Sequence, residues 1–269
     1  MTRAWLVLGA LLASAAWGQA PVYTSDGIVN ASDYSPGPFA PNSVLTIFGA
    51  NLAWSAEQLS ETDIVNGALP TKLNGVEVYF DNWPAPLIYV SPTQINFIIP
   101  GNEVDGSVPV RVVRQGVTGP EITLQLIDAA PALFASAGYA IATHPDGTLL
   151  TPDAPASAGD VVVIYATGLG KTLPNPAPGV IPLTPNPVAA RSTLTIYLNG
   201  APIDSGLIFY AGVTPYSAGL YQINLFLPGD TPTDPEIRVS VGPQLSLAGL
   251  QLVVGPAPQP CGSLPRSTH

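Results

Sequence analysis

Ser43-Val-Leu-Thr-Ile-Phe-Gly-Ala-Asn-Leu52 and Asp160-Val-Val-Val-Ile-Tyr-Ala-Thr-Gly-Leu169 are written to one template. Each is a β-branched apolar run that breaks into small and polar residues just before a leucine. A second matching pair follows in the same order, Gln94-Ile-Asn-Phe-Ile-Ile-Pro-Gly101 and Gln222-Ile-Asn-Leu-Phe-Leu-Pro-Gly229. The chain is therefore an internal duplication. Equivalent positions lie roughly 120 to 130 residues apart, far beyond the 20 to 50 of a solenoid repeat, so each copy is a domain. A length of 269 residues suits two domains of ordinary size.

The chain opens on Arg3 and an apolar run, Trp5-Leu-Val-Leu-Gly-Ala-Leu-Leu12, followed by small residues ending Trp17-Gly-Gln-Ala20. That order predicts a secretory signal peptide over residues 1–20. The run is shorter than the roughly 20 apolar residues that cross a bilayer, so no membrane insertion is expected once it is removed. The expected location is extracellular or cell-surface, with the periplasm as the alternative compartment.

The formal net charge is −10, and loss of Arg3 makes it about −11. With 8 Lys and Arg against 18 Asp and Glu, the protein repels phosphate backbones and has few cations with which to release their counterions, which excludes nucleic acid as a partner. Charged residues make up 10% and hydrophobic residues 46%, punctuated by 31 Pro and 26 Gly, the pattern of short buried strands between turns. The single cysteine, Cys261, sits in a Pro/Gly/Ser tail, so no internal disulfide is expected and stability rests on apolar burial.

In the first copy, strands are expected over Pro41 to Phe48, Gly75 to Phe80, Pro86 to Val90, Gln94 to Ile99, Val108 to Arg114 and Glu121 to Ile127. The turn word Asp81-Asn-Trp-Pro-Ala85 predicts a hairpin between the second and third. In the second copy they are expected over Val161 to Thr167, Ser192 to Leu198, Gly206 to Tyr210, Tyr221 to Leu227, Glu236 to Val241 and Leu245 to Val254. Asn199-Gly-Ala-Pro202 stands for the turn Asn82-Trp-Pro-Ala85, which sets Trp83 opposite Gly200. The expected fold is all-β: two tandem immunoglobulin-like antiparallel β-sandwich domains, with a closed barrel as the alternative. Residues 21–134 form the first, 135–157 a linker or junction hairpin, 158–255 the second, and 256–269 a disordered tail. Lys171 to Ala190 holds six Pro and is expected as an extended surface loop with no regular strand.

Ala40-Pro-Asn-Ser-Val-Leu-Thr-Ile-Phe-Gly-Ala-Asn-Leu52 resembles the opening strand of IPT/TIG domains, which are immunoglobulin-like. A longer ordered set includes Phe39-Ala-Pro41, Leu69-Pro70, Pro84-Ala-Pro-Leu-Ile-Tyr-Val-Ser-Pro92, Ala130-Pro-Ala-Leu-Phe134, Pro145-Asp-Gly147, Tyr165-Ala-Thr-Gly-Leu-Gly170 and Gly219-Leu-Tyr-Gln-Ile-Asn224. This set resembles a bacterial domain of unknown function, abundant in Acidobacteria such as Solibacter and found at the C-termini of secreted proteins. The resemblance runs from about Ile28 to Val254 and implies the fold and a secreted habitat. It carries no catalytic or binding residues to transfer.

Catalytic chemistry has little to work with. The two histidines are the terminal His269 and His144, the latter in the turn word Thr143-His-Pro-Asp-Gly147. There is no Gly-x-Ser-x-Gly elbow, no zinc-ligand spacing and no Asp-x-Asp-x-Asp-Gly calcium run, so neither cofactor nor metal is expected. Most aspartates stand beside Gly, Pro, Ser or Thr, where they close turns. The expected function is a non-catalytic interaction or adhesion module that binds an extracellular or cell-surface partner through loops or sheet edges. One alternative is a carbohydrate-binding module that stacks sugar on Trp83, Trp54, Tyr79, Tyr89 and Tyr34. Another is a glycan hydrolase with a carboxylate pair brought together from distant strands. A structural role, covering the end of its own sandwich, is the preferred reading of Trp54 and stands level with sugar binding for Trp83. The repeated Gln-Ile-Asn is read as structural, with Ile packing inward.

Overall fold

The structure is a computed structural model that describes residues 19–102 and 105–256. Nearly all of the expected signal peptide, Cys261 and His269 lie outside the described residues. The first copy comprises β1 (Ile28–Asn30), β2 (Val44–Phe48), β3 (Glu57–Gln58), β4 (Val76–Phe80), β5 (Trp83–Pro84), β6 (Leu87–Val90), β7 (Gln94–Ile98), β8 (Gly106–Arg114), β9 (Val117–Thr118) and β10 (Ile122–Leu126). Its two antiparallel sheets run β1-β2-β7-β6-β3 and β10-β8-β4-β5, with β9 folding back on β8.

The second copy comprises β11 (Ala132–Leu133), β12 (Ala135–Ser136), β13 (Tyr139–Ala140), β14 (Ala142–Thr143), β15 (Val161–Thr167), β16 (Asn186–Pro187), β17 (Leu194–Leu198), β18 (Ala201–Pro202), β19 (Ile208–Val213), β20 (Tyr221–Phe226), β21 (Ile237–Val241) and β22 (Gln244–Leu245). Its sheets run β11-β15-β20-β19-β16 and β18-β17-β21-β22, the same plan as the first. β12 and β13 form a small hairpin, and β14 adds to β15. The described residues contain no α-helix, only short 3-10 turns. The chain is thus all-β, built as tandem immunoglobulin-like sandwiches.

Period-two alternation makes the cores. In β4 Val76, Val78 and Phe80 are buried while Glu77 and Tyr79 are half-exposed, and β17 repeats this with Leu194, Ile196 and Leu198. Phe80 and Phe97 meet across the first core with ring centroids 5.7 Å apart. The repeated Gln-Ile-Asn follows the expected logic: Ile95 and Ile223 are buried, while Gln94 donates to Asn96 at 2.9 Å and Gln222 to Asn224 at 3.0 Å on the outer faces.

Four expectations are corrected. β4 does not pair with β6: it turns at Asp81-Asn82 to pair with β5, and the chain then crosses to the other sheet, where β6 pairs with β7. Ala85 still donates to Val78 at 2.8 Å, but the next N–H on that side, Leu87, donates to Pro70 at 2.8 Å instead, so the first ladder ends there. Trp83 therefore pairs with Phe80 as Ala201 pairs with Leu198, so its counterpart is Ala201 and not Gly200. Leu245 to Val254 is a regular strand only at Gln244–Leu245, because Gly249 takes a positive φ of 93° and the remainder makes isolated bridges at Gln251 and Val254. Lys171 to Ala190 contains β16, paired with β19, and its middle is bound to the first domain.

That bound segment joins the copies end to end. Leu69 donates its N–H to Gly179 at 2.9 Å, Ile181 donates to Gly67 at 2.8 Å, and Ala68 bridges Val180. Asn175 donates to the carbonyl of Gly101 at 2.9 Å, and the N–H of Val44 reaches Thr167 Oγ1 at 3.0 Å. Beneath these bonds Val44, Leu69 and Ile98 form a buried apolar cluster with Ile88, Ile64, Leu59, Ile181 and Ala218 packed on it. Gly219, at φ 74°, sits where an added Cβ would come within 2.8 Å of the Ile98 methyl and 3.0 Å of Val44. Only glycine lets the β19–β20 loop close so tightly over the first domain.

Candidate functional site

The five aromatic residues expected to bind sugar are not gathered on one surface. Trp54 follows β2 and is 56% exposed, yet one face of its indole lies over the Arg114 guanidinium at 4.1 Å and its N–H donates to Gln115 at 3.0 Å. Arg114 is only 2% exposed, and it donates to the carbonyls of Asn51 at 2.6 Å and Gln19. No carboxylate pairs with it among the described residues, so two carbonyl dipoles and the indole face hold this buried cation. Trp83 is 54% exposed at the opposite end of β4, in the short arm of the Asp81-Asn82 turn.

Tyr79 stands on the outer face of β4 with its hydroxyl on Glu77 at 3.0 Å and Arg111 over its ring at 4.9 Å. The hydrogen bond to Glu77 raises the Tyr79 pKa above its ordinary value. Tyr89 belongs to the other sheet, where it pairs with Asn96 and Gln58. Tyr34 is exposed and packs its ring 6.1 Å from that of Phe48. Of the tryptophans, Trp83 alone presents a ring with no aromatic or cationic neighbour among the described residues.

Several concavities lie where the domains meet, two of them large. A groove of about 410 Å³ is lined by Leu59, Ile64, Ile88 and Asn96 from the first domain and Ile181 and Tyr216 from the second. Its rim residue Tyr216 is 76% exposed, with its N–H held by the carbonyl of Pro182. The groove is mostly apolar, with Asn96 and Ser217 among its polar lining, a composition found in ligand-receiving surfaces at domain junctions. A cleft of about 650 Å³ on another side of the junction is lined in part by Asp105, Asp128, Lys171 and Gln244.

No group of three or more His, Cys, Asp or Glu side chains is placed to hold a metal among the described residues. His144 lies beside the Ala154 carbonyl at 3.4 Å, next to the turn that Asp146 closes by accepting from the Thr148 N–H at 2.9 Å. That bond lowers the Asp146 pKa. Sequence reading did not single out Tyr216, Arg114, or the exposed pair Phe209 and Phe226, whose rings lie 5.4 Å apart. A signal for Phe226 was present: it takes the place of Ile98 in the second Gln-Ile-Asn block.

Residues 30–126, the first copy, match the IPT/TIG domain family. Among proteins of curated function none matches the sequence. Similar solved structures include a surface glycan-binding protein from Prevotella bryantii, at 15% identity and TM-score 0.27 over 87% of this chain and 42% of that one. Another is the mixed-linkage glucan utilization locus SGBP-B of Bacteroides ovatus, at 10% identity and TM-score 0.33 over 81% of this chain and 44% of that one. Domains 5–6 of the S-layer protein SbsC are similar at 10% identity and TM-score 0.26 over 88% and 99%. The chain spans less than half the length of those two glycan-binding proteins, and its similarity to the IPT/TIG family is confined to residues 30–126.

Proposed function

We propose that this chain is a secreted, non-catalytic interaction module that binds an extracellular or cell-surface protein through the apolar groove between its two sandwiches. The observation that carries the reading is the groove itself, which both domains line and over which Tyr216 stands 76% exposed. A rim aromatic beside a desolvated apolar floor is the arrangement from which binding hot spots are built. The acidic surface favours a partner of neutral or positive charge. The ordered motifs shared with the acidobacterial secreted domain, and the leader read at residues 1–20, support an extracellular setting. On the same reading the first domain covers about residues 21–134 and the second about 158–255, with the junction hairpin between them.

A second reading is kept for polysaccharide, favoured by the free indole face of Trp83 at its hairpin tip. Co-sedimentation of the mature protein with washed envelope fractions and with insoluble polysaccharides separates the two. The expected result is envelope binding that Tyr216→Ala weakens by about tenfold, with Trp83→Ala unaffected. Equal binding by wild type and Tyr216→Ala overturns the groove. Glycan binding lost only in Trp83→Ala puts the second reading in its place.

A further inference from the structure

The duplication assigns every outer-face position of one domain a counterpart in the other. β2 pairs Val44 with Ile98, and β15 pairs Val161 with Phe226 at the same point of the same ladder. β6 carries an irregularity between Leu87 and Tyr89, and β19 carries one between Ile208 and Tyr210, so Phe209 is the counterpart of Ile88. In the first domain Val44, Ile88 and Ile98 are the residues packed under the second domain. Of their counterparts, Val161 is half-buried while Phe209 is 54% and Phe226 46% exposed, where Ile98 is 3%. Two phenylalanines stand in water at the positions the fold uses for docking a sandwich end.

What covers the first domain's patch is the opposite end of a sandwich, the end of β15 at Thr167 and Gly168 together with the loop before β20 at Ala218 and Gly219. The matching end of the first domain, after β2 and before β7, meets no part of the second domain among the described residues. It presents Trp54, Val22 and the exposed loop residues Pro92 and Thr93. We infer that Val161, Phe209 and Phe226 form a docking surface for a second copy of this chain, which seats the free end of its first domain there. The contact is heterologous, head to tail, and uses the sheet positions of the internal junction, with the shorter end loops of the first domain in place of the long loops of the second. Because each copy is strongly acidic, with net charge −10, added salt strengthens the association by screening repulsion.

Sedimentation velocity of the mature chain under reductant, from micromolar to millimolar concentration, tests this. Phe209→Ser with Phe226→Ser disables one end, and Thr93→Glu disables the other; all three positions are exposed, and near-ultraviolet circular dichroism confirms that each variant is folded. The expected result is mass that grows with concentration in wild type, loss of growth by about tenfold or more in each variant alone, and dimers on mixing the two variants, since each supplies the end the other lacks. A wild type that stays monomeric throughout overturns the proposal. So does a Thr93→Glu protein that self-associates as wild type does, because that outcome requires a symmetric contact of the Phe patches. Neither result bears on Tyr216, so the groove reading stands or falls separately.

Discussion

The two copies share a skeleton and differ at their ends. In the first, the connection from β2 to β3 and the turn from β6 to β7 are short; in the second, the equivalent connections are Gly168–Pro185 and Thr214–Leu220. Those longer loops reach across to the first domain and supply Gly179, Ile181, Ala218 and Gly219 to the junction. The same sheet position thus becomes interior in one copy and surface in the other. Loop length, added to an unchanged sandwich, decides which apolar residues are core. Proline serves this use, because a chain with six of them between residues 171 and 190 loses less conformational freedom when it is pinned across a neighbour.

The sharpest way to break the comparison is to place one charge at both counterparts. Ile98→Asp buries a carboxylate in the junction cluster and is expected to cost about 3 to 5 kcal/mol. Phe226→Asp places the same group in water and is expected to change stability by no more than about 0.5 kcal/mol. Urea denaturation of the two variants measures both. Equal losses would mean that the ends are not distinct in burial and that the junction does not hold in solution.

A smaller difference concerns how each domain is closed. In the second, the buried Tyr221 hydroxyl donates to the Gly170 carbonyl. In the first, the position before Gln94 is the exposed Thr93, and closure falls to Arg114 and Trp54. Burial raises the Tyr221 pKa far above its ordinary value of 10.0, outweighing the Asn42 hydrogen bond that lowers it. The unfolded chain ionises this phenol near pH 10, as free tyrosine does. Stability from the neutral phenol is therefore intact below about pH 10 and is lost as pH rises through the folded-state value. Tyr221→Phe is expected to cost about 1 to 3 kcal/mol at neutral pH, by orphaning the Gly170 carbonyl, and to flatten the loss above pH 10. Thermal melts between pH 8 and 11 test both; an unchanged alkaline slope would exclude Tyr221 as its source. On the first domain's side, Trp54→Ala uncovers a buried guanidinium and is expected to cost about 1 to 2 kcal/mol in urea, independent of pH between 6 and 9.

How much of this was legible in the sequence follows from what is local. The repeated apolar runs, the alternation in β4, β8 and β17, and the Gln-Ile-Asn ladders are period-two signals, and they locate these strands with ends that shift by up to about three residues. Pairing is not local. Gly75 to Phe80 and Pro86 to Val90 look like one hairpin, yet the pairing with β4 stops at Ala85 and the second run pairs with β7 in the other sheet. The junction was illegible for the same reason: residues 171–190 read as a solvated loop because their partners, Gly67, Leu69 and Gly101, are about 70 to 110 positions away in the chain. The groove inherits that difficulty, since Ile64 and Tyr216 become neighbours only through the docking. The exposed tryptophans were visible as residues in loops, but not that Trp54 caps a buried arginine while the Trp83 ring has no aromatic or cationic neighbour among the described residues.

The smallest expected effect separates the copies at the tight turn after β4 and β17. Asn199 and Gly200 both take positive φ, 47° and 78°, the pattern of a two-residue turn whose twist matches its strands. In the first copy Asp81 has φ 47° but Asn82 is not left-handed, and its amide instead donates to the Asp81 carboxylate at 3.1 Å. The second turn therefore needs a residue without a Cβ at its second position, and the first does not. No neighbour lies within 4 Å of a Cβ added to Gly200, so the cost of Gly200→Ala is purely conformational, about 1 kcal/mol. Asn82→Ala, which keeps an ordinary φ and loses one exposed hydrogen bond, is expected to cost less than about 0.5 kcal/mol. Paired urea titrations read the difference, and an Asn82→Ala loss equal to that of Gly200→Ala would show that the two turns share one backbone conformation after all.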